Sequence, residues 1–110
     1  MFVVCNRVVI NPEHVDAFEE RFLSRAGLVD TMPGFVSFQL LRPVKADDGY
    51  MVMVTWETKA DFQAWMKSQE FKDGHARTGS LPQGTFMGAQ SIEHYELIGY
   101  SARSTEAKVQ

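Results

Sequence analysis

Cysteine is nearly missing from this chain: Cys5 is the only one in 110 residues. A single cysteine cannot close an intramolecular disulfide, which excludes a disulfide-stapled scaffold and fits a reducing cytoplasm. Inside a strand-like run, Cys5 reads as a small buried hydrophobe, not a nucleophile. Positive charge is also in short supply. Eleven Lys and Arg stand against fourteen Asp and Glu, a formal net charge of -3, with both signs mixed along the chain. No basic groove is available for a phosphate backbone, so nucleic acid is not expected as a partner. No apolar run approaches the roughly 20 residues that cross a bilayer. The N-terminus lacks the positive region and cleavage site of a signal peptide, so no membrane partner is expected. Internal repeats, low-complexity tracts, zinc-like Cys/His spacing, a Gly-rich phosphate loop and a Ser-His-Asp order are all lacking. Asp47 and Asp48, adjacent in a turn, suit solvent better than paired acid–base work.

What is present is enough for one compact domain. The apolar fraction is 45%, ordinary for a globular core. Residues 2–10 read as a strand whose one face carries Phe2, Val4, Asn6, Val8 and Ile10. Asn11-Pro12 reads as a helix start, with Asn at N-cap and Pro at N1. Val15, Phe18, Phe22, Ala26 and Val29 follow at helical spacing, with Glu13, Asp16, Glu20 and Arg21 off the stripe. Met32-Pro33-Gly34 turns the chain. A second strand is expected from Phe35 to Arg42 and, after the turn at Asp47-Asp48-Gly49, a third from Tyr50 to Glu57. The third is apolar on both faces, as a strand covered on both sides would be.

Thr58 offers an N-cap, with Asp61 three residues later as a capping-box partner. The helix from Lys59 to about Gln69 carries Phe62, Trp65 and Met66. Around Phe71 to His75 it should break or restart, because Gly74 is a poor interior residue. Gly79 to Gly88 reads as loop, and the last strand as about Gln90 to Tyr100. Residues 1–100 thus form the domain and 101–110 a polar tail. The order β-α-β-β-α-β is the α+β, ferredoxin-like split βαβ arrangement: an antiparallel sheet with helices on one face. The other face carries Val3, Cys5, Arg7, Val9, Met51 and Met53. An exposed patch this apolar is usually an interface, and a two-fold homodimer with sheets face to face, a dimeric α+β barrel, would cover it.

Asn6 is the unusual residue of the first strand. An amide facing a core costs roughly 1–3 kcal/mol unless it finds partners, so Asn6 has either a buried backbone partner or a pocket. Trp65 reads as core on spacing alone and as a pocket wall if that pocket exists. His14 reads as solvated, and the face of His94 in the last strand is open. His75, just after the second helix, is either a surface or capping histidine or an axial iron ligand, since neutral imidazole is the usual proximal ligand of haem.

With those residues in view, the chain resembles the haem-degrading monooxygenases of the IsdG type, within the antibiotic-biosynthesis monooxygenase superfamily. The resemblance runs from Val3 to Tyr100. It is carried by the stretch PGFVSFQLLRPVK over residues 33–45 and by FQAW over 62–65, both similar to a mycobacterial member. Asn6-Arg7 and the ending IGYS over 98–101 are similar to staphylococcal members. The resemblance implies that haem is both cofactor and substrate, with dioxygen and electrons from an external donor, a reductase or another source. It implies His75 as the axial ligand of the haem iron, Asn6 as the distal amide and Trp65 as the indole that presses the porphyrin out of plane. Phe22 and Arg25 match first-helix residues near the haem. Three other readings stay open on sequence. They are a cofactor-free monooxygenase of a phenolic or quinol-like substrate, a non-enzymatic haem carrier or sensor, and a structural dimer module.

Overall fold

The fold is that of a computed structural model, which describes residues 1–45, 48–73 and 81–103, with the side chains of 25–28 left aside. Asp47, Gly74, His75, Gly79 and the tail from 104 lie outside the described residues, as do the side chains of Arg25 and Ala26.

Strand β1 (Phe2–Ile10) runs into a short 3-10 turn, Pro12–His14, and then α1 (Val15–Val29). Asn11 makes that entry. Its side-chain oxygen accepts from the Glu13 N–H at 3.0 Å, satisfying a donor that a helix start leaves orphaned. Strands β2 (Phe35–Leu41) and β3 (Tyr50–Trp56) follow, then α2 (Lys59–Met66) and β4 (Phe86–Glu96). The sheet order is β2-β3-β1-β4, with every neighbouring pair antiparallel. This is the ferredoxin-like arrangement, both helices lying on one face.

Alternation decides what is buried. The even residues of β1 meet the helices. Val8 and Ile10 join Phe18 and Phe22 of α1 and Tyr50 and Val52 of β3 in one core cluster. Phe2 and Val4 pack against a second, built on Val29, Trp56 and Trp65. The helical stripe is observed at Phe18, Phe22 and Val29, all buried. The opposite sheet face carries Val3, Arg7 and Val9 with Met51 and Met53, and leaves Val9, Leu41, Met87 and Tyr95 exposed. Cys5 and Thr55 are the buried residues on that face. Burial pushes the Cys5 thiol up, Glu93 adds to this and Arg7 opposes it, so the sulfur is held in its unreactive form.

Several boundaries differ from those expected, among them the end of β3, which stops at Trp56 and not Glu57. The helix after Thr58 stops at Met66 and not near Gln69, and helix resumes over 69–73. Ser68 explains the interruption. Its hydroxyl donates to the Trp65 carbonyl at 2.6 Å and accepts from the Phe71 N–H at 3.1 Å, capping a new turn where a continuous helix was read. Thr58 and Asp61 do pair as expected, the Asp61 N–H donating to Oγ1 at 3.1 Å and Oγ1 donating to the carboxylate at 2.8 Å. Strand β4 begins at Phe86 and ends at Glu96, four residues ahead of the expected span at either end. Gly88 (φ +77°) is not loop punctuation but part of a bulge in β4. Ile98 and Tyr100 fall beyond the strand and are exposed. Finally, β2 ends at Leu41 and leaves Arg42 outside the ladder.

At the front of β2, Gly34 has φ +81°, and a Cβ there would stand 2.2 Å from the Asp61 carboxyl carbon. The missing side chain lets the turn close against the start of α2, where the Glu57 N–H donates to the Gly34 carbonyl at 2.8 Å.

Candidate active site

Between sheet and helices lies a cavity of about 430 Å³, within the roughly 300–1,000 Å³ range of small-molecule sites. Its floor is the helix-facing side of three strands: Val4 and Asn6 of β1, Val52, Val54 and Trp56 of β3, and Gln90, Ile92 and His94 of β4. Its roof is Phe22 of α1, then Phe62, Trp65 and Met66 of α2, with Phe71 beyond. Another cavity of about 330 Å³, at the edge formed by Met1, Phe2, Glu57, Thr58, Lys59 and Glu96, holds neither the amide nor an indole.

Asn6 sits in the middle of the floor, and its Oδ1 is buried with no hydrogen-bond partner among the described residues. The reading in which a backbone group satisfies this amide is therefore not what the structure has. An orphaned buried carbonyl costs roughly 1–3 kcal/mol, and Asn6, which carries it, is one of the residues lining the largely apolar cavity. The amide carries two donors and an acceptor, and a half-turn about its last torsion exchanges them.

Trp65 is 6% exposed and is both core and cavity wall. Its ring lies 6.2 Å from Trp56 and meets Phe71 edge-on at 5.5 Å. The choice between core tryptophan and pocket tryptophan posed by the sequence is thus no choice. Phe22 has the same double position, packed on Phe18 at 4.6 Å and lining the cavity. Of the five residues singled out from the sequence, the structure brings Asn6, Trp65 and Phe22 to one cavity. Arg25 follows Phe22 along α1, with its side chain outside the described residues, and His75 lies outside them altogether. Among the described residues no cluster of three or more His, Cys, Asp or Glu could hold a metal ion.

Three of the cavity residues missed by sequence reasoning, Gln90, Ile92 and His94, are on β4. The sequence alone leaves the face of His94 open. The ladder settles it: Val4 pairs with His94 and Asn6 with Ile92, so His94 shares the face of Asn6. Only the register, shifted by the bulge between Arg7 and Val9, could have told this.

One polar cluster braces the site from below. Arg42 donates from Nε and Nη2 to the Glu19 carboxylate, at 2.8 and 2.5 Å, and the Tyr50 hydroxyl donates to the same carboxylate. Arg42 and Tyr50 together hold the Glu19 carboxyl down to about 2. Tyr50 is pushed up, first by burial and then by Glu19. Glu19 precedes Phe22 by one helical turn and Tyr50 precedes Val52 by one alternation. The cluster therefore ties α1 to β3 and to the residue just beyond β2.

The antibiotic biosynthesis monooxygenase family model matches residues 1–77, well over half of the chain. The chain belongs to the antibiotic biosynthesis monooxygenase family. Among its relatives, a heme oxygenase (mycobilin-producing) of Mycobacterium tuberculosis is 53% identical over 80 residues, covering 73% of this chain and 72% of that protein. A heme-degrading monooxygenase of Bacillus cereus is 36% identical over 99 residues, covering 88% and 90%. Among solved structures, the M. tuberculosis heme-degrader MhuD with two hemes bound in its active site superposes with a TM-score of 0.73 at 31% identity, over 93% of this chain and 100% of that one.

Proposed function

We propose that this member of the family is a haem-degrading monooxygenase that takes haem into the cavity between sheet and helices and opens the porphyrin oxidatively, haem being cofactor and substrate at once. The observation that carries the reading is Asn6, whose buried Oδ1 has no hydrogen-bond partner among the described residues, in the lining of an aromatic-walled cavity. The relatives named for haem degradation support it. The residues present fit the group: stiff apolar walls suit a planar macrocycle, and one neutral amide suits a small polar ligand at its centre.

Haem, when bound, supplies iron and reactivity toward dioxygen, with electrons from an external donor. The chain supplies position and environment. His75 would hold the iron, through a neutral imidazole nitrogen. Asn6 would present an uncharged N–H donor to the bound group, without donating a proton as an acid would. Trp65, backed by Trp56, would press on the porphyrin as a wall that does not yield. Phe22 closes the α1 side, and Arg25 of the same helix is a proposed haem-binding residue. The apolar lining keeps bulk water away from the reaction.

The exposed sheet face is proposed to be covered by a second copy in a two-fold homodimer, and the working compartment to be the cytoplasm, consistent with the lone reduced Cys5. No helix among the described residues is long and apolar enough to cross a membrane.

The test is anaerobic titration with haem, then admission of air and an electron donor while the absorption spectrum is followed. The expected result is a saturable haem spectrum that decays to a ring-opened product, with His75→Ala losing the ferric spectrum while remaining folded. Bound haem that survives reductant and air would leave a carrier, and no binding would leave a cofactor-free oxygenase. Sedimentation as a folded monomer at micromolar concentration would remove the dimer.

A further inference from the structure

The haem reading leaves one demand unmet by the described side chains given roles above. A haem carries two carboxylates on one edge, and an ionised carboxylate cannot enter an apolar lining without a partner. Those groups must emerge at a rim that offers a donor. Among the described lining residues, His94 is the only side chain that can carry a positive charge. It lines the cavity and is exposed, as a rim residue must be. Its ring is held edge-on by two aromatics, 5.4 Å from Phe2 at 64° and 5.3 Å from Phe62 at 73°. Both phenyl rings lie to one side of the imidazole, 5.6 Å from each other, which leaves its other side open, and an imidazole keeps at least one N–H in either protonation state.

The register sets the spacing. Asn6 pairs with Ile92 and Val4 with His94, so His94 is the diagonal neighbour of Asn6 on the same face, roughly 7–8 Å away. A macrocycle centred over Asn6 brings its edge, not its metal, to His94. Farther out, Glu57 and Glu96 line the neighbouring cavity with Lys59.

We propose that His94 is a substrate-binding residue that sets specificity: its ring N–H donates a hydrogen bond to an edge carboxylate of the bound porphyrin, selecting the free acid over its ester. The proposal rests on the haem reading and adds the orientation of the ring in the cavity.

The probes are iron-free protoporphyrin IX, its dimethyl ester and haem, each titrated by quenching of Trp56 and Trp65 fluorescence. The wild-type chain should prefer the free acid to the ester. His94→Ala should weaken the acid about tenfold, the scale of a lost hydrogen bond to a charged group, and leave the ester unchanged. His94→Gln, which keeps an N–H donor, should recover most of the acid affinity. Equal loss for acid and ester would make His94 a packing residue and overturn the proposal. Loss confined to haem would make it an iron ligand, and no loss would remove the contact; either overturns it. A wild-type chain that binds haem but does not separate acid from ester defeats this proposal alone. One that binds no porphyrin defeats the functional reading as well.

Discussion

Trp56 and Trp65 stack with ring centroids 6.2 Å apart and planes inclined by 32°, so the indole that walls the cavity is backed by a fully buried one. Trp56 has no exposed surface, and its neighbours leave it nowhere to retreat. The stiffness proposed for the cavity wall is a property of this pair.

Trp65→Ala therefore destabilises the fold by about 3–5 kcal/mol, as large-to-small changes of buried aromatics do. Trp65→Phe keeps a flat ring, costs less, and is the variant in which haem turnover is compared with wild type. Urea unfolding checks both. A loss under about 1 kcal/mol for Trp65→Ala would show that the indole is not part of the core.

Asn6 should behave in the opposite way. Replacing the amide with an apolar group of similar size, Asn6→Leu, removes an unsatisfied carbonyl and raises the stability of the ligand-free chain by about 1 kcal/mol. Asn6→Ala should still take up haem, because apolar contact and the iron–imidazole bond supply most of the affinity. Its degradation rate should fall on the order of 100-fold, as when a preorganised donor is removed. Denaturation and single-turnover spectra separate the two effects. A destabilised Asn6→Leu would mean that the carbonyl has a partner after all.

The Glu19 cluster makes stability depend on acid. The folded carboxyl is depressed to about 2 from an ordinary 4.5, so the unfolded chain takes up the proton first as pH falls. The contribution is whole above 4.5 and is lost progressively down to about 2. Its size is limited by the Arg42 side chain, which is 72% exposed. Glu19→Gln should flatten the acid limb of a plot of denaturation midpoint against pH between those values, leaving neutral stability lower. An unchanged acid limb would place its cause elsewhere.

Gly34→Ala should cost about 2 kcal/mol or more. The left-handed backbone alone costs roughly 1–2 kcal/mol for a residue with a Cβ, and the new carbon would collide with the Asp61 carboxyl. In an Asp61→Gly background the collision is gone but the backbone term is not, so Gly34→Ala should cost less there, measured against Asp61→Gly alone, than it costs in the wild-type chain. Full recovery would assign the whole cost to the clash.

Much of the fold is readable from local chemistry. Asn11-Pro12 and Thr58 with Asp61 are short-range signals, complete within four residues, and the structure uses both. Alternation in β1 assigns Asn6 to the helix-facing side without further information. The points that were not legible depend on partners far along the chain. Ser68 interrupts the second helix through hydrogen bonds that pattern alone does not weigh against continuation. The face of His94 and the true start of β4 depend on which residues of β1 they meet. Gly88, read locally, argues for loop; paired against β1, it belongs to a strand.

That glycine also does something that side-chain alternation cannot. Sliding β4 by two residues along β1 would leave the same set of side chains facing the helices, so hydrophobic burial hardly opposes it. Between Arg7, paired with Ser91, and Val9, paired with Met87, β4 carries three residues against Val8 alone. This excess needs the backbone that Gly88 adopts at φ +77°, and two residues away on either side stand Phe86 and Gln90. Alternation counts only odd from even; Gly88 supplies the origin of the scale, and thereby decides that Ile92 and not His94 stands across from Asn6.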